Sequence, residues 1–256
     1  MSIVREDDEW VLNGRKWFIT GAMNERTKIL IVMGKSDPDN ANRHLQQTQV
    51  LVPKDTLGLT LVRPLSTFGY DDAPIGHAEL IFENCRVPAE NVLLGEGRGF
   101  EIAQGRLGPG RMHHCMRLIG TGQRALELAC KRATSRTTFG RQLSKHQSVR
   151  EDISRMFSEI EMARLLVLKT SHKIDEQGVP ASIDMIAATK TTIPLLIQNV
   201  IDRAMQMHGA GGLTADYCMA EGYNYARWCR QADGPDQVHQ MALGKQIIER
   251  YSGEKA

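Results

Sequence analysis

The stretch from Gln206 to Gln237 opens with a glycine-bearing turn, His208-Gly209-Ala210-Gly211-Gly212, and closes on Ala232-Asp233-Gly234-Pro235-Asp236-Gln237. Glycine and proline in the closing segment predict a tight turn at residues 233–236, and Asp236 is suited to cap the helix that follows it. Asp233 is thereby presented at a chain reversal, where catalytic groups are often found. Spacing alone favours the simpler interpretation, in which both aspartates are turn and cap residues.

Composition and charge limit the classes of protein to which the chain can belong. With 256 residues it is long enough for one or two domains with buried cores. Its 32 basic and 30 acidic residues are interspersed and leave a net charge of +2, so nothing favours nucleic acid as a partner. No apolar run approaches the roughly 20 residues that span a bilayer, and the acidic N-terminus is not typical of a targeting peptide. We therefore expect no transmembrane segment.

The cysteines and histidines indicate neither a disulfide framework nor a metal site. The five cysteines are odd in number and form no Cys-x-x-Cys pair, which favours a reducing, intracellular compartment. His113 and His114 are adjacent, so on a helix they point about 100° apart and cannot share one metal ion. Both are interpreted as structural or surface residues, and no metal ligands are predicted.

The first third of the chain predicts short strands, because it is rich in β-branched residues. Asn13-Gly14, between Trp10-Val11-Leu12 and residues 15–20, is the strongest hairpin signal, since this dipeptide suits the positive φ angles of a tight turn. Further strands are predicted at residues 28–33, 49–52, 59–65 and 77–82, with a polar loop at 36–47. Together these elements predict a small antiparallel β-domain over residues 1–92.

From Phe100 onward, apolar residues recur at three- and four-residue steps, the period of a helix. Gly178-Val179-Pro180 separates two such helices, Pro194 predicts a kink in the second, and further helices are expected at residues 216–230 and 236–252. The predicted fold class is α+β, a small antiparallel β-domain followed by an up-and-down antiparallel α-helical bundle over residues 93–256. The apolar faces are Ile153, Met156, Phe157, Ile160, Ala163 and Val167 in the first of the two helices, and Ile186, Ile193, Ile197, Val200, Ile201 and Ala204 in the second.

The segment from Gly105 to Arg111 conflicts with this helical pattern. Each interior glycine costs about 1 kcal/mol and a proline about 3 kcal/mol relative to alanine. Gly108-Pro109-Gly110 therefore implies a bend or the close approach of another group. Two interpretations stay open: a ligand lies against a bend flanked by Arg106 and Arg111, or the helix is kinked and both arginines are solvated.

Three groups of motifs together resemble the acyl-CoA dehydrogenase family, over essentially the whole chain. Asp233-Gly234-Pro235 stands where the family has Glu-Gly-Thr/Ser, and the match is strongest to the subgroup of family members 10 and 11. The resemblance implies the middle and C-terminal domains of that family. The motifs are Gly105 to Arg117, then Arg136-Thr137-Thr138-Phe139-Gly140 with His146-Gln147, then Gln206 and Gly209 with Ala232 to His239.

The resemblance implies a site for FAD. Phe18-Ile19-Thr20 aligns with a Trp-Ile-Thr stretch that packs against the flavin ring, with Phe18 in place of the tryptophan. Other matching positions hold the pyrophosphate and adenosine of FAD from a neighbouring subunit, so a homodimer or tetramer is implied. Ordinary strand packing, an arginine near a helix end and a helix-ending glycine are simpler interpretations of the same residues. The remaining implied cofactor residues are Arg136, Thr138, Phe139, His146, Gln147, Gln206, Gly209, Ala210, Pro235, Asp236 and Gln237.

The resemblance also implies a reaction, the α,β-dehydrogenation of an acyl-CoA thioester. Asp233 would remove the α-proton while the β-hydrogen leaves as hydride to flavin N5, and Arg111 and Gly234 would line the substrate site. We expect burial to raise the basicity of the Asp233 carboxylate. Aspartate is one methylene shorter than glutamate, and a misplacement of about 1 Å can cost roughly 100-fold in rate.

The implied partners are the acyl-CoA substrate and an electron acceptor such as an electron-transfer flavoprotein. The implied compartment is the mitochondrial matrix or the peroxisome in a eukaryote and the cytoplasm in a bacterium. Family members carry an N-terminal helical domain and first β-strands before the segment matched here, so we expect this chain alone to lack one wall of the flavin and acyl pockets. A non-catalytic oligomerisation module derived from this fold and a related flavin oxidase stay open as alternatives.

Overall fold

A computed structural model describes residues 1–255 and divides the chain into two units, Met1–Arg106 and the part from Leu107 onward. A β-sheet forms most of the first unit, and helices form most of the second. The predicted α+β class is confirmed. Among the described residues, no helix combines the length and the apolar character needed to cross a membrane.

The first unit contains a mixed six-stranded sheet with the strand order β4-β3-β1-β2-β6-β5. Neighbouring strands are antiparallel except for β1 and β3, which pair in parallel. The predicted sheet was purely antiparallel, and the observed sheet differs from it by this one parallel pair. The strands are β1 (Ser2–Glu6), β2 (Glu9–Thr20), β3 (Ile29–Lys35), β4 (Gln47–Pro53), β5 (Leu59–Leu65) and β6 (His77–Pro88).

Alternation along the strands decides which side chains form the core of the sheet. In β3, Leu30 and Val32 are buried, whereas Ile29 and Ile31 point to the other face and are more than half exposed. Trp10 of β2 is the largest fully buried side chain, and its indole N–H donates to the carbonyl of Ala89 at 3.1 Å. Burying both the ring and its donor in this way stabilises the sheet without leaving a polar group unpaired.

The predicted hairpin at Asn13-Gly14 is wrong. The chain reverses at Asp7-Asp8 instead, where Asp7 has a φ of 50° and Glu6 pairs with Glu9 across the turn. Asn13 and Gly14 lie inside β2, at a register shift in its pairing with β6, and Gly14 has a φ of 136°. The positive φ that suggested a turn therefore belongs to a β-bulge, a feature with the same local preference for glycine.

The described part of the chain contains five α-helices, of which the first begins in the first unit and the other four lie in the second. A small two-stranded ribbon lies between the first two helices. The last helix has the bounds predicted from the sequence. The second helix is kinked at Gly178, which has a φ of 78° and a ψ of 168°, and it ends three residues later at Ala181. The helices are α1 (Gly99–Ser135), α2 (Gln147–Ala181), α3 (Ile183–His208), α4 (Met219–Cys229) and α5 (Asp236–Ser252). The ribbon strands are β7 (Thr137–Thr138) and β8 (Arg141–Gln142), and short 3-10 turns cover Arg43–Leu45, Ala89–Asn91, Leu143–Lys145 and Gly209–Leu213.

Helix α3 is the centre of the helical core. It packs against α2, α4 and α5, and every apolar residue predicted for its inner face is buried. Each large aliphatic side chain that is fully buried contributes about 1.5–3 kcal/mol. On α2 the predicted face is confirmed except at Phe157, which is 58% exposed because it lies about 100° around the helix from Met156.

The Gly108-Pro109-Gly110 segment lies inside α1, which continues from Gly99 to Ser135. A Cβ atom added at Gly108 would lie 2.7 Å from Cγ1 of Val179, near the end of α2. Close approach of another element therefore explains this glycine.

Asp184, in the first turn of α3, joins three helices. Its carboxylate accepts hydrogen bonds from Lys173 of α2 and Arg250 of α5, both at 2.8 Å. Burial by itself would raise the pKa of the Asp184 carboxyl, but these hydrogen bonds lower it to about 2. The ionised carboxylate thus stabilises the packing of α2, α3 and α5.

Candidate active site

The turn between α4 and α5 carries Asp233 in an uncommon backbone conformation. Asp233 has a φ of 55° and Gly234 a φ of 103°. Left-handed φ values are uncommon outside glycine, although aspartate adopts them more readily than most residues. A Cβ atom at Gly234 would lie 2.8 Å from Nε2 of His239, so this position is restricted to glycine by space as well as by conformation. The predicted turn is confirmed.

Two helices hold the main chain of Asp233. Its carbonyl oxygen accepts a hydrogen bond from Nε of Arg111 on α1 at 3.0 Å. Nε2 of His239 on α5 lies 3.2 Å from the same oxygen and donates to it, because a carbonyl oxygen can only accept. Arg111 is half-buried, and burial lowers its pKa against the opposing effect of the Asp233 charge. The turn is therefore fixed from both sides.

The carboxylate of Asp233 faces His114. Its Oδ2 lies 3.3 Å from Nε2 of His114, and the aspartate side chain is 25% exposed. The His114 hydrogen bond lowers the pKa of the Asp233 carboxyl; burial opposes this, and the charges of Arg111 and Lys190 reinforce it. The expected rise in basicity is therefore wrong in direction, because the donors and cations around the carboxylate outweigh its desolvation.

A fully buried lysine supports the turn from α3. Nζ of Lys190 donates to the carbonyl oxygen of Cys229, at the end of α4, and lies 3.5 Å from the carbonyl oxygen of Gly234. Burial lowers the pKa of Lys190. Burial also raises the pKa of Cys229 to about 11 and that of Cys115 to about 12. The lysine thus ties the end of α4 and the Asp233 turn to the centre of the helical core.

Asp236 does not cap α5 as predicted. The N-cap position is occupied by Pro235, and Asp236 is the first residue of the helix. Its carboxylate is instead paired with Arg230, whose Nε lies 2.7 Å from Oδ2, and the Asp236 side chain is only 7% exposed. Nη1 of Arg230 also donates to Gln198 at 3.3 Å. This ion pair spans the Asp233 turn and links its two ends.

Sequence reasoning missed His114, Lys190 and His239 as neighbours of Asp233. His114 follows Arg111 by three residues and so shares its helix face, which was a usable signal. Lys190 falls on the apolar face of α3, between Ile186 and Ile193, and a lysine at such a position indicates a buried charge with a specific partner. His114 therefore lies beside Asp233, a contact that its interpretation as a structural or surface residue did not identify.

The residues aligned with the flavin-packing stretch lie at the end of β2. Phe18 has a φ of 55° at a register irregularity between Lys16 and Ile19, and its ring is 44% exposed. The ring centroid of Trp17 is 4.7 Å from that of Phe18. Ile19 is half-buried, and the hydroxyl of Thr20 lies 3.1 Å from Nδ1 of His77. This bulge presents an aromatic surface that a flat ligand could cover.

The predicted cofactor residues of the ribbon are accessible. Phe139, at the tip of the β7–β8 ribbon, is 98% exposed, Arg136 beside it is exposed, and Thr138 is half-buried. His146 precedes the first residue of α2, Gln147, and its Nε2 atom is buried without a hydrogen-bond partner among the described residues. A buried ring nitrogen of this kind is expected to have a partner.

The remaining predicted cofactor residues lie at two helix ends. Gly209 ends α3 with a φ of 63°, and Gln206, Gly209 and Ala210 are exposed. At the start of α5, Gln237 is exposed, whereas Oδ1 of Asp236 is buried without a hydrogen-bond partner among the described residues.

Within each unit taken by itself, the residues present are chemically suited to contact FAD. Exposed aromatic rings at Phe18 and Phe139, an exposed guanidinium at Arg136 and the unpartnered Nε2 of His146 are groups that pack against rings, bind phosphate or hydrogen-bond a nucleotide. Within residues 1–255 no cluster of three or more potential metal ligands is found.

Comparison with known proteins identifies both units. Residues 1–85 match the family model described as the acyl-CoA dehydrogenase middle domain, and residues 97–248 match the model of the acyl-CoA dehydrogenase C-terminal domain. Acyl-CoA dehydrogenase family member 10 of Mus musculus is 51% identical over 251 residues, which cover 98% of this chain and 23% of the mouse protein.

Solved structures give the same result. A Mycobacterium abscessus protein assigned to the acyl-CoA dehydrogenases has a TM-score of 0.95 at 45% identity, covering 98% of this chain and 61% of that one. Butyryl-CoA dehydrogenase from Megasphaera elsdenii has a TM-score of 0.84 at 29% identity, covering 96% of this chain and 63% of that one. The chain thus spans 23% to 63% of the length of these relatives. It belongs to the acyl-CoA dehydrogenase family.

Proposed function

We propose that the chain is the middle and C-terminal part of an FAD-dependent oxidoreductase that dehydrogenates acyl-CoA thioesters between the α and β carbons. The observation that carries the proposal is the Asp233 carboxylate, on a turn whose main chain is held by Arg111 and His239. By resemblance, Asp233 stands where the family has its glutamate. Membership of the acyl-CoA dehydrogenase family and the likeness to a butyryl-CoA dehydrogenase support the same activity.

The reaction separates two hydrogens of the acyl chain. FAD, when bound, supplies the acceptor for the hydride from the β carbon. The part assigned to this chain is removal of the α-proton by Asp233, which must therefore be ionised when substrate binds. The low pKa of its carboxyl keeps it ionised but makes it a weaker base. Hydrogen-bond donors to the thioester carbonyl must accordingly supply much of the stabilisation of the developing negative charge.

The substrate site is proposed to lie beside Arg111 and Gly234. Arg111 uses its Nε to hold the Asp233 carbonyl, so it fixes the base as well as lining the site. Ala232 is half-buried and small, which leaves room beside the base. This space favours an acyl chain that is bulky or substituted near the reacting carbons.

The cofactor is proposed to contact two parts of the chain. The Phe18-Ile19-Thr20 segment would pack against the isoalloxazine ring. Arg136, Phe139 and the neighbouring ribbon residues would bind the pyrophosphate and adenosine of a second subunit's FAD, and their exposure supports this role. The active form is then a homodimer or tetramer, and an electron-transfer flavoprotein would reoxidise the reduced flavin.

The decisive test compares Asp233→Asn with Asp216→Asn, a change at an exposed aspartate ahead of α4. FAD binding is measured by absorbance, and reduction by anaerobic addition of saturated acyl-CoA thioesters of graded length. We expect both variants to bind FAD and Asp233→Asn to lose roughly 100- to 10,000-fold in reduction rate, the contribution of a general base. Full reduction by Asp233→Asn at the rate of Asp216→Asn would contradict the proposal. Peroxide formation without an added acceptor would indicate an oxidase.

A further inference from the structure

We propose that His114 is a positioning residue for Asp233: it donates its Nε2 proton to the aspartate carboxylate and holds that carboxylate ionised and in a single orientation. The inference rests on the proposed function, in which Asp233 is the base. It adds a second side chain to the proton-transfer step, one that touches the base and not the substrate.

Hydrogen-bond donors around the imidazole determine which ring nitrogen carries the proton. Nη2 of Arg117 lies 3.0 Å from Nδ1 of His114, and a guanidinium has donors only. Nδ1 must therefore accept, which leaves the proton of the neutral ring on Nε2. That nitrogen is the one that lies 3.3 Å from Oδ2 of Asp233, at the long end of hydrogen-bonding distance. The hydroxyl of Tyr225, 3.0 Å from Nδ1, is a second group able to donate there.

The ring of His114 is also held in place. Its side chain is 14% exposed, and its centroid lies 5.7 Å from the ring of Trp228, edge-on, and 6.3 Å from that of Tyr225. Arg117 in turn lies over the Tyr225 ring, 5.7 Å from its centroid. The imidazole is thus oriented by α1 and α4 together, so its Nε2–H is aimed at the Asp233 turn.

Such a donor matters more for an aspartate than for a glutamate. A shorter side chain reaches less far and has fewer rotamers in which it can approach a substrate carbon. A hydrogen bond to Oδ2 selects among those rotamers and leaves Oδ1 as the oxygen to take the proton. Misplacement by about 1 Å costs roughly 100-fold, so fixing the rotamer has a measurable effect.

Charged groups other than His114 also affect the pKa of the Asp233 carboxyl, so the test must distinguish their effects from that of His114. The charges of Arg111 and Lys190 also lower the pKa of the Asp233 carboxyl, so loss of His114 is expected to raise that pKa without removing every favourable interaction. The titratable and charged groups around the pair are Arg111 and Arg117 on α1, Lys190 on α3, Tyr225 and Cys229 on α4, and Asp236 and His239 on α5.

The first experiment does not depend on turnover. Ring nitrogens of the unmodified chain, labelled with 15N-histidine, are observed by long-range NMR correlation, and His114 is assigned by the loss of its signals in His114→Gln. We expect a protonated Nε2 and an unprotonated Nδ1. The carboxyl of Asp233, observed by 13C NMR, is expected to titrate at a higher pH in His114→Leu. A proton on Nδ1, or an unchanged Asp233 titration, would overturn the inference.

The second experiment uses the pH profile of kcat/KM for acyl-CoA reduction of the FAD-loaded protein. His114→Leu is expected to move the acidic limb to higher pH and to lower kcat by up to about 100-fold, with a smaller change in KM. His114→Gln is expected to recover most of the rate, because its carboxamide N–H can donate to the same oxygen. His113→Leu, at an exposed position on the same helix, is the matched control and should match the unmodified protein.

The outcomes separate this inference from the proposed function. If Asp233→Asn keeps full activity, the proposed function fails, whatever the NMR data show for His114. If Asp233→Asn is inactive but His114→Leu has an unchanged pH profile, Asp233 remains the base and the positioning role of His114 is refuted. Equal losses in His114→Leu and His114→Gln would also refute it, because a structural role does not distinguish a donor from an apolar group.

Discussion

Replacing Arg230 with leucine should destabilise the helical unit by about 3 kcal/mol. The change leaves the Asp236 carboxylate, 7% exposed, without its cationic partner. Removing one member of a buried ion pair typically costs roughly 3–5 kcal/mol. We take the lower end because the Arg230 side chain is 25% exposed and so is already partly solvated. A loss of about 3 kcal/mol corresponds to a roughly 100-fold change in the unfolding equilibrium constant.

The assay is urea unfolding followed by far-UV circular dichroism, which reports mainly on the helices. The matched control is Arg164→Leu, which removes an ion pair with Glu161 on the surface of α2, where both side chains are more than 40% exposed. Surface pairs of this kind contribute about 0.2–1 kcal/mol. A double mutant of Arg230→Leu with Asp236→Asn should recover part of the loss, since no buried charge is then left unpaired. Equal destabilisation by the two single arginine variants, or strict additivity in the double mutant, would refute the reasoning.

Three further outcomes follow from particular residues. Gly234→Ala should lower the free energy of unfolding by about 1–3 kcal/mol, because Gly234 has a positive φ and lies close to the His239 ring. Its control, Gly244→Ala, lies inside α5 with open space around it. This control should raise the free energy of unfolding by about 0.5–1 kcal/mol in the same urea assay. Cys229, buried and with its pKa raised to about 11, should resist iodoacetamide at neutral pH until the protein unfolds, and peptide mass spectrometry should show this. Asp184→Asn should cost about 2 kcal/mol near neutral pH, as measured by urea titrations across pH. That difference should shrink as pH falls from about 4 towards 2, because the folded-state pKa of about 2 is below its ordinary value of 3.8 and the ionised form stabilises only above it.

The elements predicted best were those specified by local sequence. The bounds of β5 and α5 match the predicted ones, and the predicted apolar face of α3 is buried throughout, because strand-favouring composition and the 3.6-residue helical period can both be read from the sequence. Asn13-Gly14 failed for the opposite reason. A local turn preference was overridden by pairing of β2 with β6, a strand far along the chain.

The resemblance predicts a position for the candidate site, but the groups that surround this position are known only from the tertiary structure. The resemblance identified Asp233, whereas the direction of its pKa shift depends on His114, Arg111 and Lys190, which come from two other helices. Asp236 has the composition of a capping residue, but Arg230 lies close enough to draw its carboxylate into an ion pair. Such competition between a local cap and a tertiary partner cannot be resolved until the packing of the helices is known.

The left-handed backbone of Asp233 gives its short side chain a compensating advantage. Aspartate and asparagine enter this region of φ more readily than most residues with a side chain, so the bend is easier to maintain with aspartate than with a longer acid. Replacing Asp233 with glutamate would restore the missing methylene and extend the reach of the carboxylate. The same substitution would destabilise the turn, because glutamate adopts a left-handed φ less readily. For the activity proposed above, a faster variant is better sought by changing the residues around the proposed acyl site than by extending the aspartate itself.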